Sequence, residues 1–172
     1  MKDPAVSETS ELRVWVSSVP GDMAMRTRDE VVGSALKSGV EVLVLRADMV
    51  FGSDHLKSAL YHAKKAINEG RNASDSLSME TLLYASGERQ LGTAIRKMSV
   101  DSSCSEIVIA QLTRGRLEPG KSWRPLEAVA QGTLDSSLER FGISKNELAT
   151  VSSAKKIDLV LEKVAAVDIL KK

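Results

Sequence analysis

Residues 76–100 read SLSMETLLYASGERQLGTAIRKMSV, and we expect the other elements of the chain to pack around them. Apolar residues recur at helical spacing on both sides of Gly87, which predicts two helices that meet at this glycine. Glycine often ends a helix because it adopts the left-handed conformation without strain. The joint that follows, Gly87-Glu88-Arg89-Gln90, is polar, and it is where we first expect function.

Length and composition limit the class of protein. The 172 residues are enough for one domain with a sizeable core, and the net charge of +1 excludes a strongly basic nucleic-acid-binding tail but permits a local basic surface. Only 3% of the residues are aromatic, fewer than proteins that stack bases on aromatic platforms need. Cys104 is the only cysteine, which excludes an intrachain disulfide and a cysteine-based zinc site. No segment has the pattern of a signal peptide or a membrane helix, so we predict a cytoplasmic protein with no membrane partner.

Hydrophobic patterning along the chain predicts an α+β fold, or more broadly a mixed α/β one. Strands are expected near residues 12–19, 40–46 and 105–112. Helices are expected near residues 27–38, 53–69, 77–87, 91–98, 133–141 and 153–170, with a short helix after the capping-box pattern at residues 144–147. We expect a single domain over residues 12–172, preceded by a flexible leader at residues 1–11.

Two of these elements carry predictions about burial. A capping-box pattern begins at Thr27, so we expect the first helix to start there and to bury Val31, Val32 and Leu36. The continuous apolar run at residues 40–46 predicts an inner strand of the sheet.

The sequence offers no constellation that is typical of an active site. His55 and His62 are seven residues apart, which places them roughly 10 Å apart along a helix, too far for a shared metal ion. Cys104 lies in no nucleophile motif and is more typical of a small buried hydrophobe. Glu80 and Glu88 are interpreted as solvated helix charges. We therefore predict no enzyme activity, no catalytic residue, no metal and no cofactor.

The basic residues between positions 55 and 100 are more informative. Seven lysines and arginines face four aspartates and glutamates there, a local net charge of +3. If the long helix near residues 53–69 lies beside the joint, Lys64, Arg71 and Arg89 converge. Arginine offers phosphate a planar fork, and lysine offers it a point charge. The alternative is an ordinary solvated face whose charges pair within the helices.

The last helix is apolar on two sides. Its core stripe consists of Ile157, Val160, Leu161 and Val164. A second apolar line on nearly the opposite side consists of Leu159, Ala166 and Leu170. A helix of this kind is either fully buried or docks a partner. We predict that the second line binds a protein partner, and burial within the domain is the alternative.

The run LLYASGERQLGTAI at residues 82–95 resembles the signature of a known family. That family is the small accessory subunit of the KEOPS complex, also called the p53-related-kinase-binding protein family, and the likeness is to its archaeal type. The residues that carry the resemblance are Leu82, Leu83, Tyr84, Ser86, Gly87, Arg89, Gln90, Ala94 and Ile95. Leu91 replaces the usual isoleucine, and the similarity is looser outside residues 76–100.

The resemblance implies a small, partly antiparallel sheet of about four strands flanked by helices. A parallel pairing of the first two strands is the alternative, because one helix connects them. It also implies a non-catalytic subunit of the complex that installs threonylcarbamoyl on a tRNA adenosine. Such a subunit binds and stimulates the atypical kinase/ATPase subunit of KEOPS, and takes no small-molecule substrate.

In archaeal members of this family the subunit also binds the single-stranded 3′ CCA end of tRNA, whose unpaired bases a basic pocket can enclose. From the family motif, Gly87, Arg89 and Gln90 carry over as tRNA-binding residues. Lys64 and Arg71 are added to this predicted site from their spacing alone. The alternative function is a purely protein-binding regulator of an atypical kinase, without RNA contact.

Overall fold

A four-stranded sheet lies at the centre of the described chain, in a computed structural model that describes residues 12–126 and 135–171. The strands are β1 (Arg13–Ser18), β2 (Val42–Arg46), β3 (Glu106–Gln111) and β4 (Trp123–Pro125). The helices are α1 (Ala24–Lys37), α2 (Ser53–Asn68), α3 (Leu77–Ser86), α4 (Leu91–Met98), α5 (Asp135–Phe141), α6 (Lys145–Thr150) and α7 (Lys156–Leu170). This arrangement confirms the predicted α+β fold. The leader predicted at residues 1–11 lies outside the described residues.

The strands lie in the order β2-β3-β1-β4, and each neighbouring pair is antiparallel. The expected small sheet of about four strands is therefore confirmed; it was expected to be partly antiparallel, and all of its described pairings are antiparallel. The parallel alternative is wrong, because β3 lies between β1 and β2 and pairs with both. The prediction that residues 40–46 form an inner strand is also wrong, since β2 is an edge strand. Its central residues are buried because helices cover both faces of the sheet, so an apolar run reports burial and not position in the strand order.

Helix α3 is the innermost helix of the described fold. Every residue from 80 to 86 is buried, as expected for a helix that other elements surround on all sides. The Ser76 hydroxyl accepts the backbone N–H of Met79 at 3.3 Å and caps the start of α3. Gly87 ends the helix in the left-handed conformation with φ 68°, which confirms the predicted joint. Helices α2 and α7 pack against α3, and the three helices together cover one face of the sheet.

The other face of the sheet is covered by α1. This helix begins at Ala24 after a short 3-10 turn, so Thr27 lies inside the helix and the predicted start is wrong. Val31 is buried as expected, whereas Val32 and Leu36 are exposed, Leu36 to 74%. The buried side of α1 is formed by Ala24, Val31 and Ala35. Small residues there allow α1 to lie close to the sheet, and among the described elements nothing covers its opposite side.

The remaining helices follow the sequence pattern closely. The predicted capping box at residues 144–147 is confirmed, because the Ser144 hydroxyl accepts the N–H of Glu147 at 3.2 Å while the Glu147 carboxylate accepts the N–H of Ser144 at 2.7 Å. Helix α5 is described from Asp135, and residues 133–134 of the predicted helix lie outside the described residues. No helix in the described ranges is long and apolar enough to cross a bilayer.

Candidate binding surfaces

The relative directions of α2, α3 and α7 determine where in the fold the candidate residues lie. At the C-terminal end of α3, His55 of α2 donates its Nε2–H to the carbonyl of Ala85 at 2.7 Å. At the same end, a Cβ added to Gly87 would lie 3.3 Å from the Cβ of Lys163 on α7. At the opposite end, Glu80 of α3 pairs with Lys171, just past the end of α7. Helices α2 and α7 therefore both run antiparallel to α3, and they are parallel to each other.

The joint between α3 and α4 is held in place by Lys97 of α4. Its Nζ donates to the carbonyl of Ser86 at 2.6 Å and to Glu88 at 3.0 Å, and it lies 4.1 Å above the ring centre of Phe141. Burial lowers the pKa of Lys97 despite the pairing with Glu88. Glu88 is half-buried and occupied by this contact, so it is not a solvated charge. The backbone of the joint is thus held firmly while the next side chains extend outward.

Arg89 and Gln90 are the exposed part of the joint. Gln90 caps the start of α4 with extended backbone angles and makes no side-chain cap bond. Within the described part of the chain, Arg89 pairs with no carboxylate. Its guanidinium is therefore available to an anion from solution, and the amide of Gln90 lies beside it in sequence.

Arg71 lies at the other end of α3, in the connector that precedes that helix. Its guanidinium pairs with Glu69 and, at 3.3 Å, with Asp168 of α7. Helix α3 has ten residues, so about 15 Å of helix separates its two ends. The structure therefore does not bring Arg71 and Arg89 together, and Lys64 is half-buried on α2 between these two levels.

Asp168 connects three elements of the structure. It accepts hydrogen bonds from Tyr84 Oη at 2.5 Å, from His62 Nδ1 at 2.9 Å and from Arg71 Nη1 at 3.3 Å. Burial alone raises the pKa of this carboxyl, but the three donors outweigh burial and lower it. The pKa of Tyr84 is raised, first by burial and then by Asp168. The tyrosine of the family signature therefore has a structural role in closing α7 onto α3.

Glu80 is a fully buried carboxylate, which contradicts its interpretation as a solvated charge. One oxygen accepts the backbone N–H groups of Ala73 at 2.9 Å and Ser74 at 3.0 Å. The other oxygen pairs with Lys171, whose side chain is also buried. The charge is tolerated because each oxygen has a donor. This carboxylate fixes the connector between α2 and α3 and ties the end of α7 to it.

His55 and Cys104 are both structural. His55 is fully buried; its Nδ1 accepts the N–H of Phe51 at 3.2 Å, so its Nε2 carries the proton given to Ala85. Burial lowers the pKa of His55 to about 4, which keeps the ring neutral. Cys104 is buried, and burial raises the pKa of its thiol. Among the described residues, no group of three His, Cys, Asp or Glu side chains is arranged to hold a metal ion.

The residues predicted for partner binding differ in exposure. Leu159 is half-buried and packs against the core, and Ala166 is half-buried. Leu170 is 47% exposed, and its neighbour Ile169 is 71% exposed. Of the three predicted residues, Leu170 therefore presents the most apolar surface. Ile169 was missed because it lies on neither apolar line of the helix.

Comparison with known proteins adds one result. A protein-family model described as kinase binding protein CGI-121 matches residues 6–158 of the chain. The match includes every described strand and all helices up to the first turn of α7. A comparison with curated protein sequences returns no match.

Proposed function

Because the chain belongs to the CGI-121 family of kinase-binding proteins, we propose that it is the small, non-catalytic subunit of the KEOPS tRNA-modification complex. In this role it binds and stimulates the kinase/ATPase subunit in the cytoplasm and holds the CCA end of tRNA. The family match confirms the predicted family and is the observation that carries the kinase-binding part. The archaeal type stays a prediction from the signature at residues 82–95.

The kinase-binding contact is proposed to include the line Leu159, Ala166 and Leu170 on α7. Leu170 supports this best because it is exposed, and Leu159 contributes less because part of it packs on the core. The test is the affinity of the purified kinase subunit for Leu170→Asp, with Leu36→Asp on α1 as the matched exposed control. We expect a loss for Leu170→Asp alone. Equal affinity for both variants would place the contact elsewhere.

The tRNA contact is proposed to centre on Arg89 and Gln90 at the joint ended by Gly87. Support comes from the exposure of Arg89 and from the absence of a carboxylate partner for it among the described residues. Lys64 and Arg71 are proposed as secondary contacts. Arg71 must exchange its pairing with Glu69 and Asp168 for a phosphate, so its contribution is expected to be smaller.

The tRNA proposal is tested by affinity measurements at several salt concentrations, with intact tRNA and with tRNA trimmed of CCA. A site that holds two or three phosphates of a single strand gives a log–log salt slope of about −1.5 to −2. Arg89→Ala is expected to weaken binding by roughly 1–3 kcal/mol. Arg116→Ala, in the loop between β3 and β4, is the exposed control and should have a smaller effect. Unchanged binding by Arg89→Ala, or no effect of trimming, contradicts the site.

A regulator that contacts only the kinase is the second candidate. The observation that favours it is the pairing of Arg71 with two carboxylates, which leaves this arginine less available to RNA. It predicts full kinase affinity and no tRNA binding at any salt concentration. The measurements with intact and trimmed tRNA therefore distinguish the two candidates.

The absence of catalysis by this subunit is part of the proposal. The polar groups around α3 that resemble catalytic residues are His55, Glu80 and Asp168, and each is occupied by hydrogen bonds that hold helices together. The isolated protein is therefore expected not to hydrolyse ATP. ATP turnover that persists through purification and is lost in a point variant of this chain would contradict it.

A further inference from the structure

Two exposed apolar side chains lie on the same side of the α2/α7 pair. His62 of α2 and Asp168 of α7 face each other across a 2.9 Å hydrogen bond, and the two helices are parallel. Each residue of a helix turns by 100° from the last. When two parallel helices touch, the residue just before the contact residue of one helix and the residue just after the contact residue of the other both project to the same side of the pair. Those residues are Tyr61 and Ile169.

Tyr61 and Ile169 form the centre of what we call the outer patch, and Leu170, which turns a further 100° away from α2, forms its far edge on α7. Tyr61 is 59% exposed, and Ile169 is still more exposed. The Tyr61 ring packs edge-on against His62 with centroids 5.4 Å apart, and His62 stacks on the buried ring of Tyr84 at 5.6 Å. The patch is thus built on a fixed support, and little side-chain order has to be gained on binding. Tyrosine is enriched at the centres of protein interfaces.

The charges beside the outer patch are divided between the two helices. On α2, Lys57 and Lys65 lie four residues to either side of Tyr61 and are exposed; Lys57 pairs with Asp54 of the same helix at 3.1 Å, so Lys65 is the one of these two lysines with no such pair among the described residues. On α7, Asp158 and Glu162 lie eleven and seven residues before Ile169, on the same exposed side. A complementary surface therefore has an apolar centre, a carboxylate that faces Lys65 and cations that face α7. This division sets the orientation of a partner as well as its place.

We propose that the outer patch is the docking surface for the kinase subunit, an inference that rests on the kinase-binding function proposed above. It extends the predicted contact at Leu170 onto α2 through Tyr61. Single-stranded RNA is the less suitable occupant, because Ile169 and Leu170 offer phosphate nothing and the acidic side of α7 repels it.

The exposed stripe on α1, formed by Met25, Val32 and Leu36, is another apolar surface of the described chain. Its flanking charges already pair with each other, Arg26 with Glu30 at 3.0 Å and Arg28 with its neighbour Asp29 at 2.7 Å. Charges of both signs therefore lie side by side on this one helix, with no separation of sign that could orient a partner. For this reason we use α1 as the control surface.

The test is titration of the purified kinase subunit with the full chain and with variants of the outer patch. Tyr61→Ala and Ile169→Ser are expected to weaken binding about tenfold or more each. Leu36→Ser, an equally exposed leucine on α1, is expected to bind like the parent. Lys65→Glu and Glu162→Lys are expected to weaken binding several-fold at low salt and less at high salt, because exposed charges are screened.

The outcomes separate the surface from the function. Parent-like kinase affinity for both Tyr61→Ala and Ile169→Ser overturns the surface and leaves the kinase-binding function standing. A parent chain that does not bind the kinase subunit overturns both. A Tyr61→Ala variant that loses tRNA affinity and keeps kinase affinity assigns the ring to base stacking and overturns the proposal. Thermal unfolding of each variant is measured first, and parent-like curves are expected because the substituted side chains are exposed.

Discussion

The two faces of the sheet are covered by layers of different construction. Three helices cover one face, and their layer contains polar groups that join one element to another, the buried His55 and Glu80 and the half-buried Asp168. The face under α1 has an apolar core cluster and two buried polar side chains, Ser17 and Gln111, which bond to loops next to the sheet and not to α1. Among the described residues, no side-chain hydrogen bond or ion pair joins α1 to the sheet. Three helices that pack on each other can slide and rotate, so directional bonds fix their register. A single helix on a sheet can be positioned by apolar packing alone.

Glu80→Ala is expected to cause the largest loss of unfolding free energy, and it tests whether polar bonds stabilise the three-helix layer. The substitution leaves Lys171 and the N–H groups of Ala73 and Ser74 buried without their acceptor. Removal of one partner from a buried pair costs about 3–5 kcal/mol of unfolding free energy. Urea unfolding at pH 7 measures it. The paired variant Glu80→Leu with Lys171→Met is the control, and should recover part of the loss. A loss below about 1 kcal/mol for Glu80→Ala would mean that the link contributes little.

A slightly smaller effect is expected from pH, through His55. Because its folded pKa of about 4 lies below the unfolded value of 6.5, the unfolded chain binds the proton more readily. This contribution to stability is complete above pH 6.5 and is lost as the pH falls to 4. The shift corresponds to roughly 3 kcal/mol. Unfolding free energies between pH 7 and 4 measure the slope, which should flatten in His55→Gln. An identical slope in the variant would assign the acid sensitivity to other groups.

The layer under α1 should respond to packing, and less strongly. Val31→Ala removes two methyl groups from a buried site, and about 0.8 kcal/mol per buried carbon gives a loss of about 1.5 kcal/mol. Because the surrounding cluster is apolar, the loss should be the same at pH 7 and pH 5. Urea unfolding at both values is the measurement. A loss that changes with pH would show that titrating groups also support this face.

The smallest effect on stability is expected from a substitution on the solvent-exposed side of α1. Leu36→Ser is expected to change the unfolding free energy by no more than about 0.5 kcal/mol, because the side chain is mostly in water. Unfolding at two protein concentrations checks this. A larger loss that grows with concentration would mean that another copy of the chain covers this side of α1.

The helical core was the part most readily predicted from sequence. The periodicity of residues 76–100 and the position of Gly87 define α3, α4 and the joint because the signals are local. The burial of α1 was less predictable. Val31 and Val32 have the same side chain, and only the position of the sheet decides which of them is buried. The strand order depends on pairing between distant strands, which local patterns do not encode.

The candidate sites divide in the same way. The exposure of Arg89 and Gln90 follows from a glycine that ends a buried helix, and the sequence predicts it. The pairing of Arg71 with Asp168 joins residues 97 positions apart, and that of Glu80 with Lys171 joins residues 91 positions apart. No local sequence pattern predicts either contact. Glu80 therefore looks like a solvated helix charge until α7 is placed against it.

The strand order also has a consequence for the newly made chain. β1 pairs with β3 and β4, and even the nearest of its β3 partners in sequence, Ser18 and Glu106, are 88 residues apart. At typical synthesis rates, β1 waits about 4–18 s for β3 to be made. During that interval α1, β2, α2 and α3 appear, and the α2/α3 hairpin can form through local contacts. Folding is therefore expected to begin with helices, while the unpaired edges of β1 stay available to chaperones until β3 arrives.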